Sequence, residues 1–214
     1  MSHAARWLVL SFTLAGLTAR ADADVFKLYG DVNLGGVGGV GLSGDPVNGP
    51  DGDTAFFANA PHGVYGLRLG ARLLIIDAAI QHHQLTNGAR ISTWTQFALG
   101  IGIQPELGDE KAKKAHTNGF LDIGLNVGFG LGTGQQVDPP LSNDEITDKG
   151  FIVEGRLAFG KHLNKVLDLG FVVPASWGYM FKNGFDTAAN DVSTHYRSFQ
   201  VAGLLFLRAN LKLL

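Results

Sequence analysis

The sequence predicts an all-β fold: an eight-stranded, antiparallel, up-and-down transmembrane β-barrel preceded by a signal peptide. Three observations lead there. Apolar residues alternate with small or polar ones in eight successive segments. Only 17% of the 214 residues are charged while 45% are hydrophobic and 30 are glycine, too apolar for disorder and too poor in charge for a water-facing domain. The chain also begins as an exported protein does and contains no cysteine, which excludes disulfides, Cys-based metal sites, Cys nucleophiles and a lipoprotein anchor.

At the N-terminus, His3 and Arg6 precede the apolar run WLVLSFTLAGLTA, and RADAD follows with small-x-small cleavage sites ending at Ala21 and Ala23. This reads as a secretory signal peptide, residues 1–23, with the barrel over 24–214. The alternative is an N-terminal membrane anchor, but the run is shorter than the roughly 20 residues a spanning helix needs.

The first strand is expected over Val25 to Gly36, with Phe26, Leu28, Val32 and Leu34 opposite Lys27, Tyr29, Asp31 and Asn33. The second, Gly63 to Leu73, sets Tyr65, Leu67 and Leu69 against Gly66, Arg68 and Gly70. In LIIDAAIQHHQ the parity flips, so a tight hairpin is expected near Ala71 to Ile75 and a third strand carries Asp77, Gln81 and His83 on its polar face. After TNGA, the fourth strand runs from Ile91 to Ile103, and the fifth, Gly119 to Leu131, opposes Leu121, Ile123, Leu125, Val127 and Phe129 to Asp122, Gly124, Asn126 and Gly128. Phe151 to Phe159 is the sixth, with Glu154 and Arg156 on its polar face, and Asp168 to Phe181 the seventh. The eighth, Tyr196 to Leu213, carries Arg208, Asn210 and Lys212, with Leu204 and Phe206 interrupting its polar face.

Alternation alone does not say which face meets the solvent, since a soluble barrel alternates too. The polar set decides. A water-exposed face is normally rich in Lys, Glu, Thr and Arg, whereas this one is mostly Gly, Ser, Asn, Gln and Ala. Its charges are balanced: Lys27, Arg68, Arg156, Arg208 and Lys212 against Asp31, Asp77, Asp122, Glu154 and Asp168. Paired charges separated by small residues suit a narrow interior, where each charge must find a partner. The apolar set then faces lipid, and closure removes the strand edges that lipid does not tolerate. Aromatics near segment ends, Phe26, Tyr29, Tyr65, Trp177, Tyr179, Phe181, Tyr196 and Phe199, suit interfacial girdles, although ordinary β-propensity also puts aromatics in strands.

On these features, the signal peptide, eight alternating segments and a chain ending on a strand, the sequence resembles the small outer-membrane β-barrels of Gram-negative bacteria, of the OmpA/OmpX/OmpW type. The resemblance spans about Asp24 to Leu214 and implies residence in the outer membrane, contact with its lipid and lipopolysaccharide, and insertion by the barrel-assembly machinery. Such barrels commonly close on a terminal aromatic, whereas this chain ends LRANLKLL.

With both termini on the periplasmic side, four outward loops are expected, Ser43 to Pro61, Thr86 to Arg90, Gly132 to Lys149 and Lys182 to Thr194, and acids outnumber bases in them. NGPDGD and SNDEITD have carboxylate spacings suited to a hard cation, but neither matches a full calcium loop, and such clusters are ordinary turn chemistry. A milder reading has divalent ions bridging these acids to lipopolysaccharide phosphates. On the periplasmic side, Gln104 to Asn118 is long for a turn and carries Lys111, Lys113 and Lys114, either as a solvated loop with a helical turn or as a docking point for a periplasmic partner or anionic lipid.

His82 and His83, adjacent on a strand, point to opposite faces and do not chelate one ion together, and His83 is expected to bond inside or near the rim. No P-loop, GxSxG or HExxH occurs, and GGVGGVGLSG continues a strand instead of opening a helix. No catalytic residue, cofactor, metal or nucleic-acid partner is predicted. Two functional classes remain: a structural or interaction component of the envelope, such as a subunit of an adhesion, motility or secretion assembly, and an OmpW-like channel or transporter for small apolar molecules, hinted at by Leu204, Phe206 and Leu74. A soluble lipocalin-like binder would need the apolar set turned inward and fits the low charge poorly.

Overall fold

The computed structural model describes residues 25–44, 62–86, 90–136, 146–185 and 191–213. The predicted signal peptide and the central part of each predicted outward loop lie outside these residues. The elements are β1 (Phe26–Gly44), β2 (His62–Leu73), β3 (Ile76–Thr86), β4 (Arg90–Ile103), β5 (Glu106–Leu107), α1 (Glu110–Lys114), β6 (Gly119–Gln136), β7 (Ile146–His162), β8 (Leu167–Phe185) and β9 (Asp191–Lys212). Each of the eight long strands pairs antiparallel with two neighbours, β4 with β6 and β1 with β9 included, so the sheet closes on itself. No helix among the described residues is long and apolar enough to cross a membrane.

Several strands outrun the predicted segments. β1 has 19 residues because GGVGGVGLSG keeps its pairing with β9, Gly36 opposite Gly203 and Val37 opposite Ala202. The predicted third outward loop likewise gives up Gly132 to Gln136 and Ile146 to Lys149 to β6 and β7. Glycine and polar residues read as loop from composition are drawn into the ladder by strands already paired on both sides.

The parity flip is a two-residue turn, Leu74 and Ile75, between the paired Leu73 and Ile76. Leu74 adopts a left-handed φ of 55° and is half exposed at the rim, so it takes no part in an interior pocket, contrary to expectation. At the β7–β8 turn, Asn164 Oδ1 accepts from the Val166 and Leu167 amides at 2.8 and 2.9 Å. In β8 the pairing to β9 lapses between Val172 and Ala175, where Pro174 has no N–H to give.

The faces sort as charge balance predicts. Leu34 and Phe151 on the exterior are each 62% exposed, whereas Asp31, Asp168 and Arg208 on the interior are each 1% exposed. A continuous apolar outer wall with a charged core is a solution for lipid, not for water.

Candidate functional site in the barrel lumen

The lumen is built in tiers, counted from the end at which the described chain begins and ends. The lowest is a cap at the barrel mouth. Its segment, Gln104 to Asn118, continues the β4–β6 hairpin in the same register, Glu106 and Leu107 pairing to Phe120 and Gly119 of β6 just as Ile103 pairs to Ile123. Asp109 caps α1, its carboxylate accepting from the Ala112 amide at 2.8 Å. Joining it to the barrel wall, His162 places Nε2 2.9 Å from Glu106 and Nδ1 2.6 Å from Asp168. Both bonds are donated together only by an imidazolium. Asn118 donates to Glu106, and Asn210 to Asp168 at 2.7 Å. Burial pushes the Glu106 carboxyl up, but the hydrogen bonds from His162 and Asn118 and the positive charge of Lys212 outweigh this and hold it below its ordinary value. Lys27 reaches the cap through Gln104, at 2.8 Å.

Above the cap a tight ionic layer crosses the lumen. Arg208 grips Asp31 with two bonds, 2.7 and 3.1 Å, and Asp122 with a third at 3.0 Å. Arg72 joins Asp122 to Asp77 at 3.0 and 2.9 Å, Arg156 adds a bond to Asp31 at 3.0 Å, and the Tyr29 hydroxyl donates to Asp77 at 2.7 Å. The Arg208 guanidinium also lies 5.1 Å from the centre of the Tyr29 ring and 5.0 Å from that of Phe206. Gly70 makes room for Tyr29, whose ring lies where a Cβ at residue 70 would stand.

The next tier is looser. Glu154 accepts from Arg68 at 3.5 Å, from Gln81 at 3.5 Å and from Ser176 at 3.4 Å, all at the weak end of hydrogen bonding. Arg68 otherwise meets Tyr29 at 3.3 Å and Gln81 at 3.2 Å. Over this tier, toward the outer loops, lies a cavity of about 60 Å³, room for a few waters. Val37, Val64, Leu85, Trp94, Val172 and Leu204 form its apolar wall, and Arg68, Gln81, Gln96, Glu154, Arg156 and Asn33 are among its polar lining.

Nine of the ten residues expected inside the barrel are buried there: Lys27, Asp31, Arg68, Asp77, Asp122, Glu154, Arg156, Asp168 and Arg208. Lys212 is the correction. It has the interior parity but stands at the end of β9, where the lumen has opened to solvent, and it is exposed. Arg72 takes its place in the charge balance and was legible, since it continues the Arg68, Gly70 parity by two more residues.

Other expectations are also revised. Tyr29 belongs to the lumen and not to an interfacial girdle. His82 points outward and bonds Thr95 Oγ1 at 2.8 Å, as adjacency requires, but His83 Nε2 faces the lumen without a hydrogen-bond partner. Phe206 is interior yet lies under the cavity, against Arg208 and Phe120, so of the pocket residues suggested by sequence only Leu204 lines it. Trp94 on the inner wall was missed; the sign was Gly130, whose missing side chain leaves the space the indole occupies. Lys111 and Lys114 are exposed on α1, and Lys113 pairs with Glu110 at 3.5 Å. NGPDGD lies outside the described residues, as does most of SNDEITD.

No family model and no curated protein matches the chain. Among solved structures, the chain is similar to Neisserial surface protein A, NspA, with 10% identity and a TM-score of 0.44 over 88% of this chain and 97% of that one. It is also similar to the translocator domain of the autotransporter NalP from Neisseria meningitidis, with 10% identity and a TM-score of 0.29 over 96% of each chain. The architecture rests on the chain's own topology: a closed, eight-stranded antiparallel barrel with an apolar exterior and an ionic core.

Proposed function

We propose that the chain is a non-enzymatic outer-membrane β-barrel that serves as a structural or interaction component of the cell envelope, exported through a signal peptide cleaved after Ala23. The observation that carries this reading is the ionic layer. Arg208, Asp31, Asp122, Arg72 and Asp77 link β9, β1, β6, β2 and β3 through bonds of 2.7 to 3.1 Å, a network of side chains that spans the lumen at that level. A barrel so filled anchors what is attached to it. The attachment points this reading favours are the outward loops and the cap, where Lys111, Lys113 and Lys114 offer a basic face to a periplasmic partner of an envelope-spanning assembly or to anionic lipid.

The test has two parts. Fractionation should put the protein in the outer membrane, with a gel mobility that shifts on boiling, and the purified barrel should show no steady conductance in planar bilayers. A soluble, unshifting protein would overturn the membrane reading, and stable single-channel steps would overturn the closed one. The second reading, passage of a small apolar molecule as in OmpW-like barrels, is favoured by the lapse in pairing at Pro174 beside the cavity. It predicts uptake of such a solute into vesicles without ionic conductance.

A further inference from the structure

The cavity above the ionic layer combines two features that have no role in closing the barrel. Its wall is apolar on several sides, from Val64, Leu85, Trp94, Val172 and Leu204. Four polar atoms of its lining have no hydrogen-bond partner: Arg68 Nη2, Gln96 Nε2, His83 Nε2 and Asn33 Oδ1. Arg68, Gln96 and Asn33 are each at most 3% exposed, so each unmet atom carries a desolvation cost.

We propose that this cavity is a binding site for a small monocarboxylate with a short apolar body. Two of the unmet atoms, Arg68 Nη2 and Gln96 Nε2, are obligate donors and call for an acceptor. Among the buried arginines Arg68 has the longest ionic contacts: its contact with Asp77 is 3.8 Å and its bond to Glu154 3.5 Å, whereas Arg208 holds Asp31 at 2.7 Å. A carboxylate matches the fork of a guanidinium, and the surrounding valines and leucines accept an alkyl body.

The site needs no passage through the barrel, so it stands or falls separately from the conductance result. The experiment is an NMR titration of the barrel in phosphatidylcholine nanodiscs with hexanoate, and with hexanamide as the uncharged comparator. Hexanoate should give saturable shifts at Trp94, Val64 and Leu204 and none that saturate on the outer wall. Arg68→Gln should weaken hexanoate about tenfold and hexanamide much less, the loss of one charged hydrogen bond. Ala202→Phe, which fills the cavity and leaves Arg68 in place, should abolish both while the boiling-dependent mobility shift persists. Non-saturating shifts on lipid-facing residues alone, or hexanoate binding indifferent to Ala202→Phe, would overturn the site. Equal binding of the two probes would overturn its assignment to a carboxylate, as would occupancy by water only.

Discussion

The lower and upper halves of the lumen use the same residue types to different ends. Below, the arginine–carboxylate bonds run from 2.7 to 3.1 Å, and one guanidinium serves two carboxylates at once. Above, Glu154 draws on three donors, none closer than 3.4 Å, and four lining atoms have no partner. The lower half is spent on closure, since each of its carboxylates Asp31, Asp77 and Asp122 meets an arginine at hydrogen-bond distance, although Arg72 Nε and Nη1 have no partner there. The upper half has long bonds and a cavity, which closure does not require.

The comparison would break most visibly at Arg208. Arg208→Met strands both Asp31 and Asp122 in the lumen and should cost about 3–5 kcal/mol, read as a lower urea midpoint in lipid bilayers and as new conductance. A near-neutral result would mean that the layer is not what closes the barrel. Next in size, Gly130→Ala should displace the Trp94 indole from the inner wall at a cost of about 1–3 kcal/mol, with a shift in tryptophan emission. Glu154→Gln should cost only about 1 kcal/mol in the same unfolding assay, since its hydrogen bonds are long. If it matches Arg208→Met, the two halves are equally tight and the contrast is wrong.

The smallest effect concerns the cap. The Glu106 carboxyl sits below its ordinary value in the fold, so it contributes stability when ionised, and that contribution is lost as pH falls through the lowered value. Hydrogen exchange should then rise at the Leu121 amide, which the cap holds through Pro105 O at 3.1 Å, while amides near Arg208 stay protected. Exchange unchanged across the acid range would leave Glu106 without a role in holding the cap.

Much of this was legible because strand geometry has a period of two. Once parity was assigned, the buried Asp31, Arg68, Asp77, Asp122 and Glu154 followed from counting, and so did the outward turn of His82. Where counting stopped early, at Arg72, the reading missed a member of the ionic layer. Where it ran too far, at Lys212, it placed in the lumen a residue beyond its end. Trp94 and Tyr29 were harder, since an aromatic suits either face and only a facing glycine reveals which one has space.

Composition and alternation thus determined by themselves that the chain makes strands, that one face of each is for lipid and that the other must balance its charges. They did so because those properties are local to each strand. The partners were decided by closure. Asp31 and Arg208 are 177 residues apart and Asp31 and Arg156 are 125 apart, brought together only when β1 meets β9 and the lumen narrows to side-chain width. Whether a charge sits in the tight layer or beside the cavity depends on its height and stagger in the barrel, which no single strand encodes.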